Sequence, residues 1–357
     1  MFKNEITRLL SIENPIIQAP MAGGITTSTL VATVSNNGAL GMIGAGYMSS
    51  IQLQKQIREV KELTSNSFGV NLFVPGKFMH LENEVKIANS LLKRYREELN
   101  IQEEDFTLPN MENAFLSYME QIQVVIEEKV PICSFTFGVP TADVMEKFKQ
   151  HNITTIGTAT TVTEAISIEQ LGMDAVVVQG SEAGGHRGNF ISSHEESLIG
   201  LMSLIPQVAD AIKIPVIAAG GIMDGRGLMA ALCLGAKAVQ MGTAFLTCEE
   251  SGAHSLHKEA IIHAKDEYTT LTRTFSGKWA RGIKNNFIIE MEEYENVIPS
   301  FPIQNALTQS IRKASAIQNN KEYMSLWSGQ SATLAKNETV EELVQRVMNE
   351  ARKVREV

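Results

Sequence analysis

Short apolar runs bounded by glycine or proline recur along the chain, and they are continuous rather than alternating. They are IIQAPM from Ile16, LGMIGAG from Leu40, SFGVNLF from Ser67, ICSFTF from Ile132, TTIGTA from Thr154, AVVVQG from Ala175, PVIAAG from Pro215 and AVQMGT from Ala238. Strands of a parallel sheet carry this pattern, because helices cover both faces and neither face needs to be polar. Most successive starts lie 21 to 27 residues apart, the length of one βα unit, while two intervals of 65 and 40 residues are longer. Eight such units predict an α/β fold, a (β/α)8 TIM barrel.

Two regions exceed that plan. The long interval after the third run carries an apolar stripe at helical spacing, Leu81, Val85, Ala88, Leu91, Leu92, Tyr95 and Leu99, and then a second helical segment through Ile126. Beyond the eighth run, residues 248 to 320 include the helix-like SLHKEAIIHAKDEY and NALTQSIRKASAI. Together these predict an inserted helical substrate or lid domain, 76–118 plus 248–320, over the mouth of a barrel formed by 1–75, 119–247 and 321–357. At the end of the chain Thr339 and Glu342 are spaced as a capping box ahead of the stripe Val340, Leu343, Val344, Val347, Met348 and Ala351. That pattern predicts a terminal helix packed on the barrel.

Charge and composition remove several functions. Among 357 residues, 31 Lys and Arg face 40 Asp and Glu, a net charge of −9 and the wrong sign for displacing counterions from nucleic acid. No apolar run reaches the roughly 18 residues of a spanning helix. Glu5 and Glu13 interrupt the start of the chain where a secretion signal needs apolar sequence. The cysteines Cys133, Cys233 and Cys248 form no CxxC pair, so neither a disulfide framework nor a zinc site is expected. The expectation is a cytoplasmic protein without metal, membrane or nucleic-acid partner.

Candidate chemistry gathers where the predicted strands end, the face on which barrel enzymes keep their active sites. Gly220 and Gly221 follow the seventh run, and Gly242 and Thr243 follow the eighth. Backbone N–H groups unshielded by a Cβ can close on an anion, and this corner of a barrel suits a phosphate. After the sixth run comes QGSEAGGHRG, where Gln179 ends the strand and Gly184, Gly185 and Gly188 surround His186. Those glycines let a ring approach closely and leave the imidazole free to be aimed, as an acid, base or hydrogen-bond donor near neutral pH. Pro20 and Met21, in APMAGG, offer a surface for a flat ring, and the amides of Asn71 and Gln179 suit the uracil-like edge of a flavin. The other histidines, His80, His151, His194, His254, His257 and His263, lack that placement; His254 and His257 read as a surface helix. No run carries a Lys for Schiff-base chemistry, Cys133 begins a strand instead of a mouth loop, and Glu182 stands without the second acid of a glycosidase.

Taken in order, APMAGG, GVNLFVP, QGSEAGGHRG, AAGGI and QMGTAF, with the later FSGKWARGIKNNF and LWSGQS, resemble the nitronate monooxygenases along nearly the whole chain. The resemblance implies an FMN-dependent barrel that uses O2 to oxidise alkyl nitronates such as propionate 3-nitronate, as a monomer or homodimer. It places the flavin ring against Pro20, Met21, Ala22 and Gly23, with the ring's polar edge near Asn71 and Gln179. It places the phosphate at Gly220, Gly221, Gly242 and Thr243, with Gln240 and Met241 alongside, and it gives His186 the position of the family's active-site histidine. Thr136 stands where some relatives have a second histidine. NADH-dependent FMN enoyl-acyl-carrier-protein reductases and quinone reductases look alike around the flavin and form the alternative enzyme class. A non-catalytic barrel binding a phosphate ligand is the alternative outside enzymes.

Overall fold

A computed structural model describes residues 2–78, 82–102 and 108–356. His80 and Leu81 lie outside the described residues. All eight expected strands are present: Ile16–Gln18, Gly41–Gly44, Phe68–Phe73, Ile132–Thr136, Thr154–Ala159, Ala175–Gln179, Val216–Ala219 and Ala238–Met241. Each pairs in parallel with the next, the first pairs with the eighth through Ile16 and Val239, and an Ile17–Leu40 bridge closes the ring.

The continuous apolar runs have two destinations. Alternate residues such as Ile17, Met42, Ile132, Val177 and Ile217 fill the barrel interior, where Ile6 and Leu10 from the amino-terminal segment pack with them. Their neighbours Ile16, Ile43, Cys133, Val176 and Val216 face outward beneath the helices. Strand geometry sends successive side chains to opposite faces, so a strand covered on both sides is apolar throughout.

The terminal helix Val340–Arg355 forms with its Thr339–Glu342 capping box intact, an arrangement worth about 1 kcal/mol. It buries the whole expected stripe against Gly225–Cys233. A Cβ on Gly225 would lie 2.3 Å from the backbone nitrogen of Ala351, so the two helix backbones touch there.

A second apolar cluster sits apart from the barrel. Helix Glu82–Glu98 contributes Val85, Ala88, Leu92 and Tyr95 to it, packed with Phe275, Phe287, Ile303, Leu307 and Tyr323. The next helix, Met111–Glu127, instead buries Tyr118, Ile122 and Val125 in the barrel cluster. The sequence boundary at 118 thus falls inside a helix whose apolar face belongs to the barrel. One element was not foreseen: a small antiparallel sheet of Thr269–Thr272, Ala280–Ile283 and Gly185–His186. It ties the loop after the sixth barrel strand to a segment more than ninety residues later.

Candidate active site

The carboxyl ends of the barrel strands open into a cavity of about 1300 Å³. It is lined below by strand-end residues and above by residues from the late, mostly helical region. Every residue expected at the site from the sequence lines it except Met241.

The floor is mostly backbone. Gly220 and Gly221 take φ of 131° and 66°, and a Cβ on Gly221 would crowd Glu182 Cβ at 3.3 Å and Ser331 Oγ at 3.4 Å. Glycine is the residue that adopts this turn without strain. Among the described residues nothing accepts the N–H of Gly221 or of Thr243, which begins a short helical turn after Gly242. Two free donors at adjacent strand ends form an anion cradle. Asn71 donates through Nδ2 to Ser134 Oγ at 2.9 Å and Thr136 Oγ1 at 3.1 Å, which leaves Oδ1 as a free acceptor. Thr136 therefore steadies Asn71. Gln240 lines the cavity with an amide that bonds no described residue, while Pro20, Met21, Ala22 and Gly23 supply an adjoining wall.

Gln179 has a different role from the one its position suggests. Its Oε1 accepts from Gly188 N at 2.8 Å and its Nε2 donates to His186 O at 3.0 Å, so both ends of the amide hold the histidine loop. Met241 is a correction. It is 1% exposed in the outer barrel core, with its carbonyl accepting from Ala19 N, because strand alternation turns it away when Gln240 faces the cavity.

The same loop is braced from beneath by two buried charges. Arg187, fully buried, donates to the carbonyls of Gly180, Gln179 and Ser197 at 2.6, 3.1 and 2.7 Å. Burial pushes its pKa down to about 10. Glu164, equally buried, accepts from the backbone of Phe190, Ile191 and Ser192 through one oxygen and from Thr160 through the other. The loop after the sixth strand is long but not loose, since these two side chains tie its backbone to the barrel at six points.

His186 is held at the roof. Its Nε2 lies 2.8 Å from Ser276 Oγ, and the rings of Trp327, Phe137 and Phe301 stand 5.3, 6.0 and 6.1 Å away. Burial, reinforced by the cations Lys278 and Arg312, pushes its pKa down to about 3, so the imidazole is neutral at physiological pH. Lys278 places Nζ 5.0 Å from the centre of the Phe137 ring and donates to Asn189 O at 3.2 Å. Burial lowers its pKa to about 8. Arg312 donates to Asn305 O at 2.8 Å and Asn305 Oδ1 at 2.9 Å. Among the described residues the cavity lining includes Lys77, Lys278 and Arg312, and no Asp or Glu.

The sequence model of the nitronate monooxygenase family matches residues 3–350. The chain belongs to that family. It is an oxidoreductase with the nitronate monooxygenase barrel. A protein of Staphylococcus haemolyticus named "Probable nitronate monooxygenase" is 51% identical, over 98% of either chain. A solved nitroalkane oxidase from Streptomyces ansochromogenes is 36% identical, with a TM-score of 0.90 over 98% of this chain and 99% of its own. FabK from Thermotoga maritima shares 30% identity and a TM-score of 0.79 over 100% of this chain and 98% of its own.

Within this nitronate monooxygenase barrel, six other residues take a role that their sequence reading did not give them. His257 is not on a surface helix: it is 5% exposed, lines the cavity, and its Nε2 lies 2.9 Å from Trp327 O. His254 caps helix Ser255–Ile262 by accepting from Leu256 N. Glu182 accepts from Leu201 N at the start of helix Leu201–Ala211, a structural role that explains its isolation. Ser276, Lys278 and Arg312 were missed as site residues, because only the fold brings them over the barrel mouth. The one local signal was Gly277, whose φ of 81° and absent Cβ let the turn pass Pro299 O. Among the described residues no helix is long and apolar enough to cross a membrane, and no cluster of metal-ligating side chains occurs.

Proposed function

We propose that this protein is an FMN-dependent enzyme that oxidises alkyl nitronates with O2, releasing nitrite and a carbonyl compound. The observation that carries the reading is the sign of the cavity: in a chain of net charge −9, the described residues that line it include cations and no carboxylate. That environment suits two anions, a flavin phosphate and a nitronate.

The fit to FMN rests on the floor. Gly220, Gly221, Gly242 and Thr243 would hold the phosphate, and Asn71 Oδ1 and the Gln240 amide would meet the polar edge of the ring beside Pro20, Met21, Ala22 and Gly23. When bound, FMN supplies an electron acceptor next to the substrate. The chain's own contribution comes from the roof. Lys278 and Arg312 attract and orient the nitronate anion, and their burial strengthens that attraction over its value in water. Phe137, Phe301 and Trp327 exclude water, and His186 stands among them as a neutral imidazole. Three unpaired cysteines are compatible with a reducing cytoplasm.

Purified protein should be yellow, and denaturation should release a flavin that chromatographs as FMN. Mixed anaerobically with ethyl nitronate, the flavin spectrum should change without NADH, and nitrite should form once air is admitted. Reduction by NADH with nitronate inert would move the protein to the reductase class that FabK's similarity makes the alternative; a colourless protein after reconstitution would leave a phosphate-binding barrel.

A further inference from the structure

We propose that Ser276 is a positioning residue that fixes the tautomer of His186, so that Nε2 carries the hydrogen and Nδ1 is the nitrogen that accepts a proton from substrate. The Ser276 hydroxyl has one hydrogen and two neighbours to satisfy. It lies 3.0 Å from Lys278 O, which can only accept, and 2.8 Å from His186 Nε2, which can do either. Donation to the carbonyl satisfies both: the serine oxygen then accepts from Nε2–H, and also from Lys278 N at 3.3 Å. Donation to the ring instead would leave Lys278 O without a donor among the described residues. Unmade bonds of this kind are costly in a buried site, and Ser276 is 1% exposed.

The serine is fixed well enough to impose this choice. Its turn is closed by Gly277 N donating to Arg273 O at 2.7 Å. Gln304 Nε2 donates to Thr274 O at 2.7 Å, and Thr308 Oγ1 donates to Phe275 O. His186 is fixed from the other side by Gln179 and by pairing opposite Ala280. Neither partner has to move for the bond to persist. Nδ1 has no protein partner, and it is not among the fully buried unpartnered atoms, so it remains open to a ligand in the cavity.

The chemical consequence concerns un-ionised nitroalkanes. Nδ1 takes the proton from the carbon bearing the nitro group, and the C–H electron pair shifts onto the nitro oxygens to give the nitronate. A preformed nitronate skips that transfer. Ser276 should therefore matter for the neutral acid and little for its anion. This kinetic part rests on the proposed nitronate-oxidising function; the tautomer itself does not.

The test has two readouts. In protein labelled with 15N-histidine, with His186 assigned from the His186→Asn variant, long-range 1H–15N correlations report which ring nitrogen is protonated. Nε2–H with a bare Nδ1 is expected in the wild type and in Ser276→Thr, and a mixture of tautomers in Ser276→Ala. A protonated Nδ1 in the wild type, or an Ala variant indistinguishable from it, overturns the proposal whatever the enzyme's substrate. In turnover, Ser276→Ala should lower kcat/KM for nitroethane by about tenfold to a hundredfold, less than the ~10⁴ of a reversed tautomer. The same variant should change ethyl nitronate by less than about threefold, and Ser276→Thr should restore the nitroethane rate. Equal losses on both substrates, with the tautomer mixed, would mean that the serine orients the ring without governing proton transfer, and would overturn the kinetic claim.

Discussion

The floor and the roof of the cavity are built on opposite plans. The floor is strand ends and glycine turns, where function lies in backbone N–H groups and in amides a few residues from a barrel strand. The roof is side chains, Ser276, Lys278, Phe301, Arg312 and Trp327, carried by the late elements that include the second apolar cluster and the small sheet. A backbone cradle suits a ligand that stays, since it depends on conformation that the barrel enforces. A side-chain roof suits a ligand that changes, since each residue can be replaced without altering the chain's path. On the proposed function, cofactor retention and substrate choice should be separable in this molecule.

The sharpest way to break that separation is His186→Asn. Turnover of nitroethane should fall by about a hundredfold or more, the usual scale for a lost acid or base, while the flavin stays bound. Loss of flavin in step with activity would join roof to floor.

Lys278→Met comes next. Removing the buried cation should raise KM for a nitronate by about tenfold, by the strength of a partly buried charge pair. It should also abolish a basic limb of kcat/KM. The lysine loses its proton as pH rises through about 8, so anion capture weakens above that value in the wild type and not in the variant. His186, neutral above about pH 3, should add no acid limb between pH 5 and 8. Kinetics from pH 5 to 10 would check both limbs.

On the floor, Gly221→Ala forces a side chain into left-handed backbone at about 1–2 kcal/mol, and its Cβ meets Glu182 and Ser331. FMN affinity should fall by roughly tenfold, with KM for nitronate unchanged once flavin is saturating; fluorescence titration of the apoprotein measures the first and steady-state kinetics the second.

A change read in stability rather than in catalysis tests the seam between the two. His257, whose pKa burial drives down to about 4, is neutral in the fold and protonated in the unfolded chain below about pH 6.5. The unfolded state then binds the extra proton, so stability is lost as pH falls from about 6.5 towards 4, by up to about 1.4 kcal/mol per unit. His257→Gln, which can still donate to Trp327 O, should flatten urea-melt stability over that window.

This contrast also explains what could be read from the chain. The barrel was legible because each strand must be apolar on both faces, and the floor was legible because Gly220, Gly221 and Gly242 sit within a few residues of a strand end. Met241 was placed beside Gln240 by the family resemblance, and strand alternation turns its side chain away from the cavity. His257 was misread because a histidine at helical spacing carries no mark of burial. Ser276 went unread for a stronger reason: its partner is ninety residues away, and the strand Gly185–His186 that joins them is two residues long. No periodicity survives at that length.

The contact between Gly225 and Ala351 ties the cavity floor to a distant part of the chain. The helix that starts at Gly225 follows the Gly220–Gly221 turn by four residues, is capped by Asp224, and offers its first N–H to Glu350. The turn that carries the proposed anion cradle is thus pinned from behind by a helix whose Glu350 lies 125 positions further along the chain. A bulky residue at Gly225 would press on Ala351 and reach the cradle without entering the cavity.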